Sequence, residues 1–66
     1  MKSNLLKAKI IERGFTISEL SNKISISPVT FYRKMSGKSE FDRSEITAIS
    51  DKLSLSSEDI IDIFFS

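Results

Sequence analysis

A signal for the start of a helix recurs along this chain of 66 residues. In a capping box, a side-chain oxygen before the helix accepts a backbone N–H three residues later, and an acidic side chain at that position accepts the N–H of the cap in return. The chain contains three such pairs: Thr16 with Glu19, Asp42 with Glu45, and Ser56 with Asp59. Ser27 before Pro28 indicates a further start, because proline suits the first helical position. Only three residues separate the helix after Thr16 from the cap at Ser27, so these two helices must be joined by a tight turn.

Apolar residues at separations of three and four extend these signals into helices. The first helix is expected from a cap at Ser3 or Asn4 to about Arg13, where Gly14 ends it. The others are expected at about Ile17 to Ile24, Pro28 to about Met35, Asp42 to about Leu53, and Ser56 toward Phe64. No strand-like alternation occurs. The sequence predicts an all-α fold, one domain over residues 1–66, with a helix-turn-helix at helices 2 and 3.

The same spacing predicts which side chains form the core. Each helix has an apolar face, and the residues expected on these faces are Leu6, Ile10 and either Leu5 or Ile11, then Leu20, Ile24, Phe31, Met35, Ile46, Ile49, Leu53, Ile60 and Phe64. Helix 3 buries Phe31 and Met35, so its opposite face is expected to point outward.

Composition excludes several classes of function. The chain has no cysteine and no histidine, so neither a thiolate metal site nor an imidazole acid-base group is available. The acids of SSEDIID lack the glycine of a calcium loop. We therefore expect no metal, no cofactor, no small-molecule substrate and no enzymatic activity. No apolar run is long enough to span a membrane, which predicts a soluble cytoplasmic protein.

Charge divides the chain into two parts. Residues 1–38 carry eight basic and two acidic residues, for a net charge of +6, whereas residues 39–66 have a net charge of −5. A polyanion would be attracted to the first part and repelled by the second. Charge alone is equally consistent with ordinary solvated helix faces, and it supports DNA binding only in combination with the helix-turn-helix.

In a helix-turn-helix, the second helix lies in the major groove of DNA and its amino-terminal residues contact base edges. The side chains predicted to read bases are those at the start and on the outward face of helix 3, namely Ser27, Pro28, Val29, Tyr32 and Arg33. The arginine suits guanine, and the valine suits a thymine methyl. Alternatively, Val29 and Tyr32 only cover the edge of the core.

Phosphate contacts are predicted around this helix. The candidates at the start of helix 2, at the end of helix 3 and at the start of helix 4 are Thr16, Ile17, Lys34, Ser36, Lys38 and Arg43. Helix amino termini favour anions, and lysine and arginine neutralise phosphate. At the carboxyl terminus, one helix cannot bury all the apolar residues of IIDIFF, so Ile61 and Phe65 are predicted to contact a second chain.

Several of these residues resemble a known family. Gly14, Glu19-Leu20, Ile26-Ser27, Phe31, Gly37-Lys38, and Leu53 with Leu55 are similar to the pattern of the lambda-repressor-like, Cro/repressor-type helix-turn-helix domains of bacteriophage and bacterial regulators. Three positions depart from that pattern. Members often have glutamine at Ile17, alanine at Ser21 and glycine at Ser25, where a positive φ is often needed.

The resemblance implies a five-helix DNA-binding domain whose base and phosphate contacts fall on the residues named above. The expected function is that of a Cro-type transcriptional regulator of phage or prophage. It would bind as a homodimer to a two-fold related operator on double-stranded DNA, and the dimer would form in solution or only on DNA. The expected location is the nucleoid of a bacterial host cell. The alternative is an antitoxin-like or antirepressor-like protein-binding module that uses the apolar carboxyl terminus.

Overall fold

The computed structural model describes residues 1–66 and contains five helices and no strands. The helices are α1 (Ser3–Glu12), α2 (Ile17–Lys23), α3 (Pro28–Met35), α4 (Arg43–Leu53) and α5 (Ser57–Phe64). The all-α prediction is confirmed, and each helix begins and ends within a residue or two of its predicted bounds. None of the helices is long and apolar enough to cross a membrane.

Three capping boxes begin α2, α4 and α5, as predicted. At α2, the Thr16 hydroxyl accepts the Glu19 N–H at 3.1 Å, and the Glu19 carboxylate accepts the Thr16 N–H at 2.9 Å. The prediction of a side-chain cap for α1 was wrong. Lys2 occupies the cap position without a side-chain bond, and the Ser3 hydroxyl donates to the Met35 carbonyl at 2.5 Å. Contacts with distant parts of the chain therefore fix the start of α1.

A residue with positive φ follows each of the first four helices: Gly14 (φ 81°), Ser25 (φ 62°), Gly37 (φ 88°) and Ser54 (φ 52°). At the end of α1, the Phe15 N–H donates to the Ile10 carbonyl at 3.0 Å and the Gly14 N–H to the Ile11 carbonyl at 2.9 Å. These two bonds define a Schellman motif, and the same pair surrounds each of the other three residues. Ser25 therefore adopts a positive φ, the conformation for which the family resemblance predicts glycine.

The core lies where the five helices meet. Nine apolar side chains are buried, namely Leu6, Ile10, Leu20, Phe31, Met35, Phe41, Ile49, Leu53 and Ile63. Phe41 joins the two halves of the chain, because its ring packs edge-on against Phe31 at 5.3 Å and against Phe64 at 5.9 Å between centroids. This packing fixes the side of α3 that faces inward.

Two details of the predicted core were wrong. Neither Leu5 nor Ile11 points inward, since 42% and 75% of these side chains are exposed. In α5, Ile63 is the buried residue, and Ile60 and Phe64 are half-buried on either side of it. The spacing of Ile60 and Phe64 identified the correct face of α5 but missed the residue at its centre.

Ser25→Gly is expected to stabilise the protein. A residue with a Cβ atom is strained in the left-handed region by roughly 1 kcal/mol, and glycine removes that strain, so the free energy of unfolding should rise by about 0.5 to 1 kcal/mol. Urea denaturation followed by circular dichroism measures the change. Ala8→Gly, at an exposed position inside α1, is the control and should lower the free energy by about 1 kcal/mol. An equal loss in both variants would contradict the prediction.

Acid should destabilise the protein through its capping boxes. The pKa of Glu19 lies below 4.5 and those of Asp42 and Asp59 lie below 3.8, mainly because each carboxylate accepts a backbone N–H. A lowered folded-state pKa means that the stabilisation is complete above the unfolded-state pKa and disappears as the pH falls through the folded-state value. The melting temperature should therefore fall as the pH drops below about 4.5. In Glu19→Gln, which keeps an acceptor that does not titrate, the fall should be shallower.

Candidate nucleic-acid interface

The start of α3 is organised by Ser27. Its hydroxyl accepts the Thr30 N–H at 3.2 Å and donates to the Thr30 hydroxyl at 2.9 Å. Pro28 follows at the first helical position, where no hydrogen-bond donor is needed. The Ser27 hydroxyl proton is thus used within the cap. Thr30, which sequence reasoning missed, keeps its own hydroxyl proton for a further acceptor.

The outward face of α3 is free of intramolecular cover. Val29 is 65% exposed and Tyr32 is 54% exposed, and Arg33 is exposed beside them. On the opposite side, Phe31 and Met35 are buried in the core. More than half of Val29 and of Tyr32 is exposed, and the helix presents an apolar, an aromatic and a cationic side chain to its surroundings.

A shallow depression lies beside this face and brings together α1, the start of α2, and α3. The residues that line it include Lys7, Ile11, Thr16, Ile17, Pro28 and Tyr32. Four of these were predicted site residues, two from helix 2 and two from helix 3. Lys7 and Ile11 were not, although their separation of four residues places them on the same face of α1.

At the start of α2, the capping box limits the groups that are free to bind an anion. The Thr16 N–H donates to Glu19, whose pKa is lowered by this bond. The Ile17 N–H has no acceptor within the chain, and the Thr16 hydroxyl accepts a bond without donating one. The Ile17 amide and the Thr16 hydroxyl therefore remain available here, as does the Ser18 N–H, which has no acceptor within the chain.

The end of α3 places Lys38 next to the outward face. In the Schellman motif around Gly37, the Lys38 N–H donates to the Arg33 carbonyl at 3.0 Å. This bond fixes the Lys38 backbone one turn from Arg33, and the Lys38 side chain is exposed. The Ser36 hydroxyl donates to the same Arg33 carbonyl at 2.9 Å, so it is already in use.

Lys34 is engaged by an acidic partner. Its Nζ lies 2.6 Å and 2.7 Å from the two carboxylate oxygens of Glu45 in the first turn of α4, and both side chains are 16% exposed. Lys34 was predicted to contact phosphate, and in this structure it can do so only by leaving Glu45. A partly buried lysine with two charge-assisted hydrogen bonds has little to gain from a phosphate.

Two further groups lie away from the depression. Arg43 is exposed at the first position of α4 and borders a groove between α4 and α5, close to Phe41, Ile46 and Phe65. On α5 and just after it, Ile61 is 57% exposed and Phe65 is 67% exposed, as expected of residues that do not belong to the core. These two apolar side chains form an exposed patch on the acidic half of the chain.

Arg13 makes a structural contact between two helix ends. Its Nε donates to the Leu53 carbonyl at 2.8 Å, and so satisfies one of the carbonyl groups at the end of α4. The bond spans 40 residues and ties the end of α1 to the end of α4. Sequence reasoning gave no indication of it, because a single arginine carries no signal of a distant backbone partner.

The geometry is that of a helix-turn-helix with an uncovered second helix. The sequence profile of the Cro/C1-type HTH DNA-binding domain matches residues 5–66. No curated protein and no solved structure is significantly similar to the chain. The match covers all five helices except for the first two residues of α1. The chain therefore belongs to the Cro/C1-type helix-turn-helix DNA-binding domain family.

Proposed function

We propose that this DNA-binding domain, acting as one unit over residues 1–66, is a sequence-specific transcriptional regulator of phage or prophage type. It occupies a two-fold related operator as a homodimer and so controls access to promoter DNA. The observation that carries the proposal is the uncovered outward face of α3, on which Val29, Tyr32 and Arg33 are exposed. An eight-residue helix with one free face fits the major groove.

Each residue predicted to read bases has a role in this proposal. Arg33 donates two N–H groups to the O6 and N7 atoms of a guanine, and Val29 contacts a thymine methyl. The Tyr32 hydroxyl donates to a base or a phosphate, and Pro28 contacts the apolar edge of the groove. Ser27 caps the helix and contributes mainly by fixing its amino terminus.

Phosphate groups on either side position the helix. We propose Lys38 and Arg43 as the cationic contacts, with the Ile17 amide and the Thr16 hydroxyl on the far side of α3. The Ser36 hydroxyl joins them only if it leaves the Arg33 carbonyl. The negative charge of residues 39–66 orients the domain, because it is repelled by the phosphate backbone and directs the basic part toward DNA.

The experiment that tests this function is selection of bound duplexes from a random pool, followed by sequencing. We expect a two-fold related site whose half-sites lie roughly 34 Å apart, one turn of DNA. A pool without enrichment would refute sequence-specific binding.

The competing function is a protein-binding module, favoured by the exposed Ile61 and Phe65, and it requires a stoichiometric protein complex in place of a saturable DNA complex.

Two substitutions should separate specificity from affinity at the selected site. Arg33→Ala should lose discrimination at one base pair by about 1 to 3 kcal/mol, because the contact with guanine is removed. Lys38→Ala should weaken binding to all sequences alike and reduce the slope of log K against log salt by about 0.9. Fluorescence anisotropy with the selected duplex, its single-base variants and a random duplex measures both effects. If neither variant changes binding, the assigned face is wrong.

Phe65→Ser should abolish cooperative binding to a duplex with two half-sites and leave binding to one half-site unchanged. The reason is that Phe65 is exposed and available to a second copy of the chain, so its replacement should not unfold the domain. Glu58→Gln, an exposed position on α5, serves as the control. Gel mobility shift distinguishes the complexes with one and two proteins. Unchanged cooperativity in Phe65→Ser would place the dimer contact elsewhere.

A further inference from the structure

The ion pair between Lys34 and Glu45 lies at the junction of the recognition helix with α4. Lys34 is in the last turn of α3, and Glu45 is in the first turn of α4. The lysine Nζ contacts both carboxylate oxygens, at 2.6 Å and 2.7 Å. Each side chain is 16% exposed, so water and salt screen the pair less than they screen an ion pair on the open surface.

The Glu45 carboxylate is held in place by groups other than Lys34. Its Oε1 atom accepts the Asp42 N–H at 2.8 Å, and the Asp42 carboxylate accepts the Glu45 N–H at 2.8 Å. The Ser44 hydroxyl donates to the same Asp42 oxygen at 2.8 Å. The capping box of α4 therefore presents a fixed carboxylate to the recognition helix, and Lys34 binds to it without reorganisation of Glu45.

This arrangement alters the electrostatic contribution of Lys34 to DNA binding. Phosphate contacts strengthen binding mainly by releasing counterions condensed on DNA, and a cation contributes only if it neutralises a phosphate. A lysine paired with a fixed carboxylate forms a neutral unit. To reach a phosphate, Lys34 would lose two charge-assisted hydrogen bonds and leave Glu45 as an unpaired anion close to the DNA.

We infer that Glu45 sets the strength of binding to the phosphate backbone: it withholds Lys34 from the phosphates and uses it instead to position the end of the recognition helix on α4. The inference rests on the proposed function and adds to it, because it separates two lysines that lie only four residues apart. Lys38 is exposed and unpaired and contacts phosphate, whereas Lys34 does not. Glu45 lowers the affinity for all DNA sequences by the same factor and leaves the discrimination between them to contacts with base edges.

The test compares the salt dependence of binding to random duplex. Lys34→Gln should leave the slope of log K against log salt unchanged, whereas Lys38→Gln should reduce it by about 0.9. Glu45→Gln keeps an oxygen that accepts the Asp42 N–H but removes the charge. It releases Lys34, so the slope should steepen by up to about 0.9 and random-duplex affinity should rise roughly fivefold to tenfold at 0.1 M salt. The double variant Lys34→Gln with Glu45→Gln should restore the wild-type slope, a result that loss of structure alone would not produce.

The outcomes are distinguishable. A reduced slope in Lys34→Gln, equal to that in Lys38→Gln, would show that Lys34 contacts phosphate and would overturn this inference alone. So would an unchanged slope in Glu45→Gln. If the wild-type protein shows no salt-dependent binding, the proposed function fails and the inference fails with it. Circular dichroism at each salt concentration verifies that every variant is folded, and measurements are made below the lowest melting temperature of the set.

Discussion

The arrangement of this domain depends on one backbone feature: a residue with a positive φ follows each of the first four helices. Three of these residues, Gly14, Ser25 and Ser54, stand two positions before the next helix cap, at Thr16, Ser27 and Ser56. One apolar residue separates them, namely Phe15, Ile26 or Leu55, and each packs against the core. A helix end, a core contact and a helix start thus occupy three consecutive residues. At these three connections, the direction of one helix sets the direction of the next. Eleven buried residues are therefore enough to hold the five helices in place.

The remaining connection, between α3 and α4, is longer. It contains Lys38, the proposed phosphate contact. After Gly37 the chain continues for four residues before the cap at Asp42, and the last of them, Phe41, is buried against Phe31 and Phe64. The motif around Gly37 fixes the backbone of Lys38, and the aromatic contacts fix the other end of the segment. A lysine on a mobile loop loses backbone entropy when it binds a phosphate. Because the backbone of Lys38 is already fixed, its contact with phosphate would cost less entropy.

Much of this could be predicted from the sequence because it is local. Capping boxes, Pro28, and the glycine after α1 and α3 act within five residues, and the sequence alone predicted four helix starts and the outward face of α3 correctly. Apart from the core faces of α1 and α5, the errors and omissions concern groups whose partners are distant along the chain. The Ser3 hydroxyl binds the Met35 carbonyl, Arg13 binds the Leu53 carbonyl, and Lys34 binds Glu45. No spacing rule identifies such partners, because they are brought together by the packing of the core. Ser25 is a different case. Serine disfavours a positive φ, but Ser25 adopts one because the Schellman motif and the adjacent core contact of Ile26 require it.

Two basic side chains, Lys34 and Arg13, bind partners within the chain, and this bears on how the proposed regulator would bind DNA. Binding to random sequence depends almost wholly on phosphate neutralisation, whereas discrimination depends on contacts with base edges. Each additional phosphate contact raises both the specific and the non-specific affinity by the same factor and leaves their ratio unchanged. Under the proposed function, pairing Lys34 with Glu45 and using Arg13 to bind a carbonyl would lower the affinity for random DNA and leave the proposed discrimination by Arg33 unchanged. In the proposed regulator, a net charge of +1 limits the total affinity for DNA, and the binding of two copies to neighbouring half-sites would offset this loss.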